Sequence, residues 1–306
     1  MVDFVDLMEG RSIGLEENDP EMEKYWYGEN WILEPTCQAK RFQCLISDQI
    51  RFQGKKLHYK NPYLHRKIPH IISDIKSLSL PPETLLDGYL SFDNDDSTTL
   101  YRFLSLKSML NVQDMYVHFG LIKFYITDLI FFDKQEIFSL PLFDRKKQLG
   151  KIIVEKENVK LQKTYISKKL EMYNSLKDEF KMFIFKNIES VYKFGVSSNW
   201  LIFKMPTSYY MIIIGFIEND KEEFRHMVLA LEGAQFKNGK IEKIMNVPVH
   251  GTDNRLVLFQ KKDELKDKVF EIKALEKKSG KYQEARFFCL REDLKLEDCI
   301  YTEEEE

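Results

Sequence analysis

The chain has 306 residues, a net charge of −3 and 43% hydrophobic content, enough to fill a sizeable core in one large or two ordinary domains, so a disordered chain is excluded. No apolar run reaches about eighteen residues, and the acidic start MVDFVDLMEG has neither the basic residues nor the apolar block of a secretory signal; the expectation is an intracellular protein with no membrane partner. Cys37, Cys44, Cys289 and Cys299 show no CxxC spacing, and the six histidines are scattered, so neither a disulfide framework nor a metal site is expected.

The charge is uneven along the chain. Residues 1–30 hold nine acidic and two basic side chains, and residues 297–306 hold six acidic and no basic ones, which leaves +10 on residues 31–296. A core of that sign suits a polyanion, while solvated surface lysines are the plainer alternative.

In chain order, the first thirty residues show no clear period and read as a loop or short helix, with Tyr25, Trp26 and Tyr27 as an anchor onto the body. From Trp31, the runs WILEPT, RFQCLIS, QIRFQG and KLHYKN alternate as strands separated by turn signals. KIPHIISDIKSLSLPP predicts a helix with Ile68, Ile71, Ile72 and Ile75 on one face, stopped by Pro81 and Pro82. TLLDGYLSF then predicts a strand, RFLSLKSMLN one helix, LIKFYITDLIFFD a long buried strand, and SLPLFDRKKQLGKIIVE a helix opening near Pro141. KMFIFKNI and SSNWLIFKMP follow as strands. After Pro206 the rhythm is purely β, with turns at FKNGK and KSGK spaced as in a small barrel. The boundaries expected are an acidic segment 1–30, a first domain 31–205, a second domain 206–296 and an acidic tail 297–306.

The order of these pieces resembles the ATP-dependent DNA ligases of the covalent nucleotidyltransferase superfamily, from about Trp31 to Lys295. Glu34, Pro35 and Arg41 fit the frame E-P-K-x-D-G-x-R, whose lysine forms the adduct with AMP, but Thr36 stands at the lysine, Gln38 at the aspartate and Ala39 at the glycine. LLDGY is similar to L-D-G-E, with Tyr89 at the glutamate, and RFLSLKS resembles F-x-x-L-x-x-R, with Lys107 near its basic position. FYITDLIFFDKQEIFSLPLFDRKKQL resembles a ligase stretch through Asp128, Pro141, Leu142 and Arg145, with Thr127 replacing an aromatic. KMFIFK keeps Lys186 of E-G-x-x-x-K but places Lys181 at the glutamate. SVYKFGVSSNWLIFK resembles a further segment through Tyr192, Gly195, Trp200 and Lys204, with Ile202 replacing the first of two lysines. GTD and ARFFCLREDLK resemble motifs of the ligase tail through Arg286, Arg291, Asp293 and Lys295.

The resemblance implies an α+β fold, a ligase-type nucleotidyltransferase domain followed by an OB-fold β-barrel domain. The substitutions bear on its chemistry. Nucleotidyl transfer needs an amine beside the α-phosphate and carboxylates around magnesium, and both are lost together at Thr36, Gln38, Tyr89 and Lys181. The expectation is a protein that is not an enzyme and takes no cofactor, one that binds nucleic acid, DNA favoured over RNA, or scaffolds protein subunits of a nucleic-acid-processing complex. Two alternatives stay open: an active enzyme using ATP, magnesium and Lys40 as a displaced nucleophile, and a purely structural subunit. Arg41, Lys186, Lys204, Arg286 and Arg291 are candidate anion or nucleic-acid contacts, or else members of an ion-pair network with Asp87, Asp128 and Asp293.

Overall fold

The computed structural model describes residues 2–13, 17, 19–36, 40–54, 64–92, 97–180, 182–219, 226–274, 276–278, 281–283 and 285–301. Gln38 and Lys181 lie outside the described residues, as do Cys37, Ala39, the whole of KLHYKN and the terminal glutamates Glu303–Glu306. The chain divides into two units, Met1–Lys204 and Met205–Glu306. No helix among the described residues is long and apolar enough to cross a membrane.

The first unit runs, in chain order, through β1 (Met8–Ser12), α1 (Glu23–Trp26), β2 (Trp31–Thr36), β3 (Lys40–Ile46), β4 (Ile50–Gly54), α2 (Leu64–Lys67), α3 (Pro69–Ser77), β5 (Thr84–Ser91), α4 (Ser97–Ser105), α5 (Met109–Phe119), β6 (Lys123–Phe132), β7 (Gln135–Glu136), α6 (Leu142–Ile152), β8 (Val159–Leu161), α7 (Lys169–Leu176), β9 (Met182–Asn187) and β10 (Gly195–Lys204). The strands form two sheets. One has the order β1-β10-β9-β2; the other has the order β4-β3-β5-β6-β7, with β8 parallel to β6.

Strand alternation sorts the side chains between the faces of each sheet. On the second sheet Phe42, Cys44, Leu86, Leu90, Phe124 and Ile126 point into a core covered by the helices, where Ile68, Ile71, Ile75 and Phe103 also lie. Leu45, Leu85 and Ile130 point the other way and meet Met8, Tyr192 and Trp200 in a second cluster that joins the two sheets. The far face of the first sheet is aromatic: Trp26 meets Phe185 at 4.8 Å and Tyr173 at 5.0 Å between ring centroids.

Three local features depart from the sequence pattern. Residues 1–30 are part of the first unit: Met8–Ser12 pairs in parallel with β10, and Trp26 is buried while Tyr27 is exposed. RFLSLKSMLN is two helices, because the Lys67 ammonium donates to the carbonyls of Phe103 (2.9 Å) and Leu104 (2.7 Å) at the end of α4, and Ser108 is extended (φ −81°, ψ 128°) before α5. The second unit is not purely β. Its strands β11 (Thr207–Glu218), β12 (Val228–Lys237) and β13 (Lys240–Pro248) precede α8 (Thr252–Gln260) and α9 (Lys262–Leu265), and β14 (Val269–Ala274), β15 (Glu276–Lys278), β16 (Lys281–Gln283) and β17 (Arg286–Leu290) follow. Gly251, at φ +82°, turns the chain into α8, and Asp253 in the first turn suits the positive end of the helix.

The second unit holds an antiparallel five-stranded sheet of order β13-β12-β11-β14-β17 and the hairpin β15-β16. Its core contains Met211, Ile213, Leu231, Val247, Phe270 and Ile272.

Candidate functional site

The two sheets of the first unit face each other across a cleft, and the altered motif positions among the described residues, Thr36, Tyr89 and Ile202, converge there. On β2, β9 and β10 the register sets Thr36 opposite Met182, Glu34 opposite Ile184, and Trp200 opposite Lys186, all by two-residue alternation. From the other sheet come Arg41, Asp87, Tyr89, Thr127 and Asp128. A register shift between β5 and β6 pairs Asp87 with Asp128 and Gly88 with Ile126, so Thr127 is an extra residue in β6.

Glu34 is the electrostatic centre of this cleft. Its carboxylate pairs with the Lys186 ammonium (2.6 Å to Oε2), with the Lys146 ammonium, and accepts from Thr164 Oγ1 (3.1 Å). Burial pushes the Glu34 carboxyl up, and the two ammoniums outweigh it and hold it below the usual carboxylate range. Lys186 also donates to Thr127 Oγ1 (2.8 Å) and lies 3.9 Å from the centre of a Trp200 ring. Burial, only partly offset by Glu34, brings the Lys186 ammonium down to about 8.

Two further pairs flank this cluster. Arg145 on α6 grips Asp128 with a two-point fork, 2.8 and 2.9 Å, with both side chains fully buried. Burial would push Asp128 up; Arg145 overrides it and keeps the carboxyl low. Arg41 likewise grips Asp87, donates to the Met8 carbonyl, and stacks 4.6 Å from Trp200. Tyr192 Oη donates to Asp87 at 2.8 Å and accepts from the Met8 N–H at 3.0 Å, which ties β1 into the cleft.

Between these pairs remains a cavity of about 210 Å³, lined by Leu7, Glu9, Gly10, Thr36, Arg41, Tyr89, Met182, Ile184, Trp200 and Ile202. It is smaller than the range of about 300–1,000 Å³ typical of ligand pockets. Tyr89 is 8% exposed, stacks on Tyr125 (5.4 Å, 18° between planes) and donates to Gln162. Lys40 does not line this cavity. It alternates with Arg41 onto the opposite face of β3, with its ammonium 3.7 Å from the Tyr101 ring centre.

The remaining candidates are dispersed. Lys204 ends β10 opposite Met182. In the second unit Arg286 pairs in register with Lys273, and Arg291 is held by Asp293 (2.7 and 2.8 Å) and Glu271 (2.7 Å). A larger cavity of about 740 Å³ in that unit is lined by Arg291, Lys261, Lys268 and Lys295 but equally by Glu264, Asp267, Glu292 and Glu297, so no one sign prevails. Among the described residues no group of three or more His, Cys, Asp or Glu side chains is placed to hold a metal ion. Sequence patterns pointed to Lys186 and Arg145 but missed Lys146, Thr164 and Gln162, and missed the role of residues 7–10. Lys146 lies beside Arg145 in a recognised stretch and is the nearest thing to a signal for them.

No protein-family model matches the chain. Solved structures do. A mycobacterial DNA ligase D complexed with ATP and MES superposes with a TM-score of 0.51 at 13% identity, covering 97% of this chain and 98% of that one. A Lig E DNA ligase, described as binding DNA with a minimal scaffold, gives 0.53 at 11% identity over 95% and 100%. The ATP-dependent DNA ligase from bacteriophage T7 in complex with ATP gives 0.52 at 13% over 94% and 98%. The chain has the fold of ATP-dependent DNA ligases. A nucleotidyltransferase-type unit is followed by an OB-type unit, as the sequence resemblance implies, and the match covers nearly the whole of both chains.

Proposed function

We propose that this chain is a ligase-derived intracellular protein that performs no nucleotidyl transfer and binds nucleic acid, DNA before RNA, within a nucleic-acid-processing complex. The observation that carries the proposal is the Lys186–Glu34–Lys146 cluster. Two ammoniums in the cleft are already engaged by a single carboxylate of the protein, and Lys186 fills space beside Thr127, where the ligase resemblance implies an aromatic.

ATP with magnesium does not fit the residues present. The nucleophile position is a buried threonine, the cavity beside it is lined mainly by apolar side chains, and its carboxylate Glu9 would repel a phosphate. Arg41, the cation on its wall, is committed to Asp87. Lys40 as a displaced nucleophile is disfavoured by its place on the other face of β3. Support for nucleic acid comes from the +10 balance of residues 31–296 and from neighbours that are DNA ligases.

The test is incubation of the purified chain with ATP or GTP and magnesium or manganese, read by intact mass, beside DNA binding by fluorescence anisotropy across a salt series. No nucleotide adduct and salt-dependent binding are expected. An adduct overturns the first half of the proposal, and absence of binding at low salt overturns the second. A purely structural role is favoured by one feature, the exposed Leu110 and Val117 on α5, and it predicts that outcome without DNA binding.

A further inference from the structure

From Lys147 on α6 to Lys163 the chain carries Lys147, Lys151, Lys156, Lys160 and Lys163, against two glutamates in the same stretch, Glu155 and Glu157. Unlike Lys146, none of the five forms an ion pair among the described residues, and Lys147, Lys151 and Lys163 are exposed. Lys147 and Lys151 are four residues apart on one face of α6. Lys160 sits on β8. Residues 162–165 then cross towards β2, with Gln162 donating to the Pro35 carbonyl and Tyr165 exchanging backbone hydrogen bonds with Leu33. The lysine-bearing stretch therefore runs from α6 past β8 to β2.

The register adds aromatic surface to this path. Arg41 pairs with Tyr89, Tyr89 with Tyr125, and Tyr125 with Lys160, so four strands present a row of cation, tyrosine, tyrosine and cation on one face. Tyr89 is buried, whereas Tyr125 and Lys160 are half-buried and lie at the outer end of the row. Lysines that are not consumed by carboxylates suit a run of phosphates, and a partly exposed ring beside them suits an unpaired base.

We infer that the path Lys147–Lys151–Lys156–Lys160–Lys163 holds the backbone of a single-stranded nucleic acid, with one of its bases against Tyr125. The inference rests on the nucleic-acid-binding half of the proposed function and names its surface and its strandedness. A duplex keeps its bases paired and gains nothing from Tyr125; a single strand gains both contacts.

The experiment uses the full chain and a fluorescein-labelled oligo-dT, with a duplex of the same length alongside, by anisotropy at low salt. The single strand is expected to bind more tightly. Combined Lys147→Glu, Lys151→Glu, Lys160→Glu and Lys163→Glu should weaken it by at least about tenfold and flatten its salt dependence. Reversal of an equal number of exposed cations elsewhere in the unit, Lys76, Arg102, Lys107 and Lys134, should weaken it much less. Tyr125→Leu, which keeps apolar bulk without a ring face, should lose about tenfold for the single strand and nothing for the duplex, and Tyr125→Phe should bind as the parent does. Thermal unfolding checks that each variant is folded. Equal losses from the two sets of reversals, a silent Tyr125→Leu, or a preference for duplex overturns the inference while leaving nucleic-acid binding intact. Failure of the parent chain to bind any nucleic acid overturns the proposed function itself.

Discussion

Lys186 and Glu34 form an ion pair of 2.6 Å in which both side chains are almost fully buried, 1% and 2% exposed, at the centre of the cleft between the two sheets. A buried carboxylate between two ammoniums is stable only as a set, because removing the anion leaves two like charges without a partner. Glu34→Gln is expected to destabilise the chain by roughly 3–5 kcal/mol. Glu34→Gln combined with Lys186→Met should recover part of that loss. Urea unfolding of the three proteins checks this, and a double variant no more stable than the single one would refute the pairing.

The same lysine predicts a pH dependence. In the fold its ammonium titrates at about 8, and in the unfolded chain at the ordinary value near 10.5. The unfolded state therefore binds more protons between those values, and the penalty for the buried charge, fully present below about 8, is relieved as pH rises. Between pH 7 and pH 10 the stability of the parent relative to Lys186→Met should rise by about 2 kcal/mol. Comparing the two proteins cancels the buried thiols and phenols, which titrate in both. A difference that falls with pH would show the lysine to be held more tightly in the fold than out of it.

Arg145 spans Asp128 and the carbonyls of Leu140 and Ser190, and it is completely buried. A lysine offers one point charge in place of the planar fork. Arg145→Lys should lose at least about 2 kcal/mol, read by thermal or urea unfolding, because one ammonium cannot keep both the two-point grip on Asp128 and the bonds to the Leu140 and Ser190 carbonyls. An unchanged midpoint would mean that the fork is incidental.

Gly88 is required by close approach. A Cβ there would lie 2.3 Å from the Tyr125 carbonyl oxygen and 2.7 Å from Phe124 Cε2, beside the register shift that exposes Thr127 to the cleft. Gly88→Ala should cost about 3 kcal/mol or more, since backbone must move. Soluble expression with an unaltered melting curve would contradict this packing.

A lysine placed at position 36 should not by itself confer nucleotidyl transfer. Position 36 is 4% exposed, Met182 is its partner on the adjoining strand β9, and the cavity beside it is lined by Met182, Ile184, Ile202 and, from the other sheet, Tyr89. Thr36→Lys incubated with ATP and magnesium is expected to give no mass increment for AMP. An adduct on this variant would mean that the cleft admits a nucleotide and would count against the proposal that it is unsuited to nucleotidyl transfer.

The order of the motifs, the alternation in WILEPT and RFQCLIS, and the charge balance were legible in the sequence because they depend on residue type and spacing along the chain. Pro69 opening α3 and the buried Ile71 and Ile75 belong to the same class of local signal. What became of the retained cations was not local. Arg41 and Lys186 could equally have faced a ligand or a carboxylate, and the choice depended on Asp87, 46 residues from Arg41, and on Glu34, on the opposite strand. Lys146 and Thr164 entered the cluster only because α6 and the segment after β8 pass the same point of the cleft. The parallel pairing of β1 with β10 joins residues nearly two hundred positions apart, and Met8–Ser12 shows no alternation that would announce it. Strand periodicity says which face a side chain takes; only the stacking of two sheets decides which charges share that space, because the desolvation and pairing energies that select the partners exist only once the cleft has closed.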